Sequence, residues 1–259
     1  MENSCIKTEN GGYVPKLMID ITCNQDANGE ISLLKSIINK NPNSVIFDVG
    51  ATKSTFPIYS KTCNFHMFDP EFEFEDGVDY STDNCFVNKS ALNSTLNTID
   101  SYCDEHGIKN IDFLKIDTDG HDVDVLKGAL NILPTVKYVQ IEHDMFSLLK
   151  NQRAHDLYEI LGDFKIFKIT CDGLKKVNKI KENYIYSNYL FTRDESIYYE
   201  PLIKDVTFFK NVFWESDPDV IERCYSNQTG MFRNYECKLN LDDFLAKYYY
   251  SYIKGFIDV

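Results

Sequence analysis

The chain has 259 residues, with 27 Lys plus Arg against 40 Asp plus Glu and a formal net charge of −13 at pH 7. A hydrophobic share of 43% is ordinary globular composition, and the length suits one sizeable core plus an appendage. The charge argues against a nucleic-acid binder, because phosphate contacts need clustered Lys and Arg, and against a protein that coats an anionic membrane.

Residues 1–29 are polar and turn-rich, which predicts an irregular arm without the apolar core of a secretory signal. No run reaches the roughly 18 apolar residues of a membrane span. The eight cysteines form no C-x-x-C pair, which speaks against a zinc ribbon or a disulfide framework. Structural thiols in a cytoplasmic compartment are expected.

Apolar residues at 31, 33, 34, 37 and 38 predict a helix over 30–39, stopped by Asn41-Pro42-Asn43. Five short apolar runs then read as buried strands: 44–50, 64–69, 85–87, 111–117 and 136–142. Helical patterns at 94–106, 122–130 and 147–161 lie between or after them. Strands alternating with helices imply βαβ units and a parallel sheet. Runs at 164–170 and 184–192, joined by a basic, loop-like segment, predict an antiparallel hairpin closing one edge. Residues 194–259 carry 15 aromatics, including the one tryptophan, Trp214, with a helical pattern over 239–257. The expected organisation is an arm (1–29), an α/β domain (30–193) and an aromatic-rich C-terminal extension (194–259) packed on that domain.

Chemistry concentrates at the strand ends. Phe47-Asp48-Val49-Gly50-Ala51-Thr52 places one glycine after the first strand, where a dinucleotide site would need G-x-G-x-x-G to seat a pyrophosphate. One glycine suits a nucleoside ligand without phosphates. Asp69 ends the second strand, 19 residues after Gly50, where an acid takes ribose hydroxyls. An N-cap before Pro70 is the structural alternative. Lys115 lies inside the fourth strand and needs buried partners, with Asp48 and Asp117 the nearest candidates. Glu142 and His143 end the fifth strand. Together with Asp117 they suit either a divalent cation or acid–base work.

The segment Lys115-Ile116-Asp117-Thr118-Asp119-Gly120-His121-Asp122, followed by Val125-Leu126-Lys127-Gly128-Ala129, resembles the signature of FkbM-type methyltransferases. Thr98-Ile99-Asp100-Ser101, Phe68-Asp69-Pro70 and Tyr138-Val139-Gln140-Ile141-Glu142 fit the same pattern, over about residues 44–193. The chain departs from it at Thr52-Lys53-Ser54, where the family often has a second glycine, and at Pro57.

The resemblance implies a Rossmann-like class I fold and S-adenosylmethionine-dependent O-methylation of a small-molecule hydroxyl, on a sugar or glycan. It implies cofactor contacts at Asp48, Gly50, Ala51, Asp69, Asp100 and Asp117, and catalytic roles for Asp117, Lys115 and a base at His121 or His143. A magnesium-type cation would sit on Asp117, Asp119, Glu142 and His143. The aromatic extension suits sugar stacking or a homodimer contact. A methyltransferase-fold binding protein with a lapsed site stays open, as do the less favoured RNA methyltransferase and NAD-dependent oxidoreductase.

Overall fold

A computed structural model of the chain describes residues 5–7, 13–15, 25–93, 95–143, 145–171, 173–180 and 187–199. The aromatic segment from 200 onward, with Trp214 and the helix expected over 239–257, lies outside the described residues, as does Asp144.

The elements in chain order are β1 (Cys5–Lys7), β2 (Tyr13–Pro15), α1 (Gln25–Asn28), α2 (Glu30–Lys40), β3 (Val45–Val49), β4 (Asn64–Phe68) and β5 (Cys85–Asn88). There follow α3 (Ile99–His106), β6 (Phe113–Ile116), α4 (Asp122–Lys127), β7 (Tyr138–His143), α5 (Met145–Leu149), α6 (Ala154–Leu161), β8 (Lys165–Thr170), β9 (Gly173–Val177) and β10 (Ser187–Thr192). The expected irregular arm therefore contains a short antiparallel pair, β1 with β2, and the first turn of helix.

Eight strands form one sheet in the order β5-β4-β3-β6-β7-β10-β8-β9. The five strands from β5 to β7 are parallel, and β10 and β8 pair antiparallel beyond them. This is the mixed α/β architecture expected of a Rossmann-like methyltransferase domain. The edge is more elaborate than a hairpin. β10 inserts between β7 and β8, and the basic segment expected to be a loop supplies β9, which pairs outside β8. Lys175 and Lys176 on that last strand mask its strand character, yet lysines are what keep an open sheet edge from pairing further.

Strand alternation gives the sheet two apolar faces. Phe47, Val49, Leu114, Ile116, Val139 and Ile141 pack under α3, α4 and α6. Ile46, Phe65, Met67, Phe113, Tyr138 and Leu190 pack under α2, through Ile31, Leu34 and Ile37. Burial on both faces explains why these strands read as continuous apolar runs. No described helix is long and apolar enough to cross a membrane.

One expected helix is interrupted. The stretch 147–161 is split at Asn151, whose φ is +60°, into α5 and α6. Between β3 and β4 there is no α-helix, only a single 3-10 turn at Phe56–Tyr59 with Pro57 in its second position.

Candidate active site

The carboxyl ends of β3, β4, β6 and β7 meet on one edge of the sheet, where open α/β folds bind ligands. Asp48, Lys115 and Gln140 are direct neighbours across β3, β6 and β7. All three point to the α2 face, among residues almost fully buried.

Lys115 Nζ lies 2.8 Å from Asp117 Oδ2 and 3.5 Å from Asp48 Oδ1. Burial lowers the Lys115 pKa, but Asp117, Asp48 and Glu30 outweigh it and raise it well above its ordinary value. The ammonium is thus locked in its charged form. Lys115 carries the partners expected of it. Asp48 is held on its other oxygen by Ser54 Oγ at 2.6 Å.

Asp117 and Glu142 follow paired positions on β6 and β7, so the two acids are neighbours at the strand ends. Burial raises the Asp117 pKa, while Lys115 and a hydrogen bond with Glu142 bring it below the usual carboxylate range.

Glu30, at the start of α2, was not anticipated. It is buried, accepts from Gln140 Nε2 at 2.6 Å and from Asn188 Nδ2 at 2.9 Å, and faces Lys115 electrostatically. Burial raises its pKa despite those bonds. An acid opening an amphipathic helix reads as a plain macrodipole partner, so the spacing gives no sign of this role.

The β3 turn differs from a phosphate cradle. The Gly50 and Ala51 amides both donate to the Phe68 carbonyl, at 2.9 and 3.3 Å. Gly50 is required by the fold itself, since a Cβ there would lie 1.6 Å from the Asp117 carbonyl oxygen. Both amides are thus engaged within the fold, and Gly50 is needed there whether or not a ligand approaches it. No helix N-terminus follows them to hold a pyrophosphate. Thr52 and Ser54, in the stretch where the resemblance often places a second glycine, each orient an acid. Thr52 Oγ1 donates to Asp69 Oδ2 at 3.0 Å, as Ser54 does to Asp48. Asp69 Oδ1 accepts from the Glu71 amide at 2.7 Å. Each Asp69 oxygen keeps a second lone pair, which suits ribose hydroxyls.

Asp119 sits on the exposed rim in a left-handed conformation, φ +51°. Partial burial, then the charges of Asp117 and Asp69, raise its pKa. His121 is exposed at the start of α4 and acts electrostatically on Asp119. The strand end thus carries an acidic edge complementary to a cationic ligand.

Three expectations meet a different arrangement. The Asp100 carboxylate is engaged by backbone. Its two oxygens accept from the Asn131 and Ile132 amides, at 3.0 and 2.9 Å, which ties α3 to the turn after α4. His143 is buried and alternates with Glu142, so it joins Val139 and Ile141 on the opposite face of the sheet. The four expected metal ligands therefore do not converge, and no three His, Cys, Asp or Glu among the described residues form a metal-holding group. The Lys115 ammonium already supplies the positive charge against Asp117, so these side chains do not fit a divalent cation.

The sequence model of the methyltransferase FkbM domain matches residues 6–165, more than half of the chain. No curated protein matches. Among solved structures, the chain is similar to the METTL16 MTase domain, at 9% identity and a TM-score of 0.39, covering 75% of this chain and 88% of that one. The matched residues contain β3, β4, β6 and β7 with the whole acidic edge, and the chain belongs to the FkbM methyltransferase family, a family of S-adenosylmethionine-dependent enzymes.

Proposed function

We propose that the chain methylates a hydroxyl of a sugar or other small polyhydroxy molecule, without a metal. The observation that carries this reading is the acidic edge of Asp69, Asp117 and Asp119, beside a β3 turn whose amides are already bonded. Such an edge fits a cationic, phosphate-free cofactor and disfavours a dinucleotide. S-adenosylmethionine, when bound, supplies an activated methyl group on a sulfonium. Asp69 would hold its ribose hydroxyls, and Asp117 and Asp119 would face its positive charges.

A hydroxyl acceptor has to lose a proton during transfer. We assign that proton to His121 at the rim, with Asp119, which interacts with it electrostatically, stabilising the resulting imidazolium. Lys115 fixes Asp117, and Glu30 with Gln140 and Asn188 braces the layer beneath. Positioning supplies the rest of the acceleration.

The test is calorimetry with S-adenosylhomocysteine and NAD, followed by labelled methyl transfer to a panel of glycans. Binding of the homocysteine product but not NAD is expected. Asp69→Asn should weaken that binding roughly 10-fold. His121→Gln should leave it unchanged while cutting kcat by about 10²–10⁴. Undiminished kcat in His121→Gln would remove the assigned base. Transfer that depends on added magnesium would overturn the metal-free reading.

A further inference from the structure

We propose that the exposed ring of Phe74 is the platform on which the acceptor stacks, and that the acceptor presents a neutral glycan ring there. This rests on the hydroxyl-methylation reading above and names the part of the site that reading leaves open.

Phe74 is 62% exposed, yet its ring is packed against two others. Phe72, almost fully buried, meets it edge-on at 5.5 Å, and Tyr80 does so at 5.3 Å. Tyr80 is fixed in turn, donating to the Ser54 carbonyl at 2.6 Å and accepting from the Glu75 amide at 3.3 Å. The adjacent Glu73 amide donates to the Thr52 carbonyl at 2.8 Å, and Thr52 bonds Asp69. Lys89, just after β5, brings its Nζ to 5.5 Å from the Phe74 centroid.

The ring therefore stands where the segments after β3, β4 and β5 meet, two bonded residues from the ribose acid. A rigid, largely exposed aromatic at a ligand-binding edge suits the C–H face of a sugar ring. Its high exposure fits an acceptor that comes and goes better than the deeply enclosed base of a cofactor. The charge around it selects further. Glu71, Glu73, Glu75, Asp76 and Asp79 line the same segment, and Lys53 is already paired with Glu73 at 3.0 Å. Lys89 alone does not offset the remaining four acids, so sulfated or phosphorylated rings are repelled.

The experiment uses the full chain saturated with S-adenosylhomocysteine and saturation-transfer NMR. The probes are a mixture of cellobiose, maltose and lactose, and separately a chondroitin sulfate disaccharide. Ring-proton saturation of a neutral sugar is expected in the wild type, with none for the sulfated one. Phe74→Ala should reduce it at least 5-fold and Phe74→Trp should restore it, with melting temperature and homocysteine-product affinity unchanged within 2-fold.

Equal saturation in Phe74→Ala, no neutral-sugar signal in the wild type, or an equal signal from the sulfated sugar overturns the proposal. So does a 10-fold loss of cofactor-product affinity in Phe74→Ala, which would assign the ring to the cofactor. Labelled transfer to a hydroxyl that proceeds equally well in Phe74→Ala leaves the methylation reading standing and removes only this one. Absence of any hydroxyl methylation by the wild type removes the reading beneath it.

Discussion

Gly50 shows at a single residue why a strand-end glycine is a weak sign of a ligand. Its φ is +84°, and a Cβ would sit 1.6 Å from one backbone oxygen and 2.5 Å from the attached carbon. β3 and β6 would have to separate to admit it, in the layer that holds Asp48, Lys115 and Asp117. Gly77 is the natural control, because its φ is nearly the same, +81°, and nothing lies within 4 Å of its Cβ position. Gly77→Ala should cost about 1 kcal/mol of left-handed strain. Gly50→Ala should cost about 3 kcal/mol or more by overpacking against backbone. Urea unfolding of the two variants separates these contributions, and equal midpoints would mean that close approach is not what requires Gly50. Thr52 and Ser54 carry the complementary lesson. Read as departures from a glycine-rich turn they weaken the case for a cofactor, whereas folded they fix the directions of Asp69 and Asp48.

At the level of elements, two of the motifs that carry the family resemblance exist to pack on each other. Thr98 caps α3 and accepts from the Ser101 amide at 2.9 Å, with the Ser101 hydroxyl returning to the Thr98 amide. The Asp100 amide donates to the Gly128 carbonyl while its carboxylate holds the turn beyond α4. Gly128 allows that contact, since a Cβ there would lie 2.2 Å from the Asn93 carbonyl oxygen. Thr98→Ala should therefore cost about 1 kcal/mol of stability. Asp100→Ala should cost about 1–3 kcal/mol by leaving two amides without their acceptor. Neither should alter the affinity for S-adenosylhomocysteine in calorimetry, and a 10-fold loss in Asp100→Ala would return that residue to the cofactor site. The five parallel strands were legible because burial on both faces leaves unbroken apolar runs. The Asp48–Lys115–Asp117 cluster was legible because a lysine inside such a run has to be paired. β9 was not, because its lysines imitate a loop. The opposite facing of Glu142 and His143 follows from strand alternation, but only once the strand is known to run to position 143. Glu30 and Phe74 owe their places to contacts across the fold that no local pattern encodes.

For the whole molecule the acidic balance has a consequence in pH, since two buried groups on different elements pull stability in opposite directions. His66 on β4 is stacked on Phe86 at 4.6 Å and bonded to Tyr102. Burial first, then the charge of His106, lowers its pKa to about 4. The unfolded chain takes up that proton earlier, so the contribution of His66 is present above pH ~6.5 and is lost as pH falls toward 4. Asp122, in the first turn of α4, accepts from the Thr118 amide and hydroxyl. Burial outweighs both bonds, Asp117 adds to it, and the pKa rises to about 7. Here the native state keeps its proton longer, so the contribution is present below pH ~4 and is lost as pH rises through 7. Each slope is worth about 1.4 kcal/mol per pH unit, with opposite sign between pH ~4 and 6.5, so in the wild type they largely cancel. Asp122→Asn keeps an acceptor for both Thr118 bonds and removes one slope. Its stability relative to wild type should fall by roughly 2–3 kcal/mol on acidification from pH 7.5 to 4.5. His66→Phe keeps the stacking and removes the other slope, so its relative stability should rise over the same interval by a similar amount. The double variant should again parallel the wild type. Urea unfolding at four pH values measures all of this, and single variants that track the wild-type curve would show that neither group titrates as its burial requires.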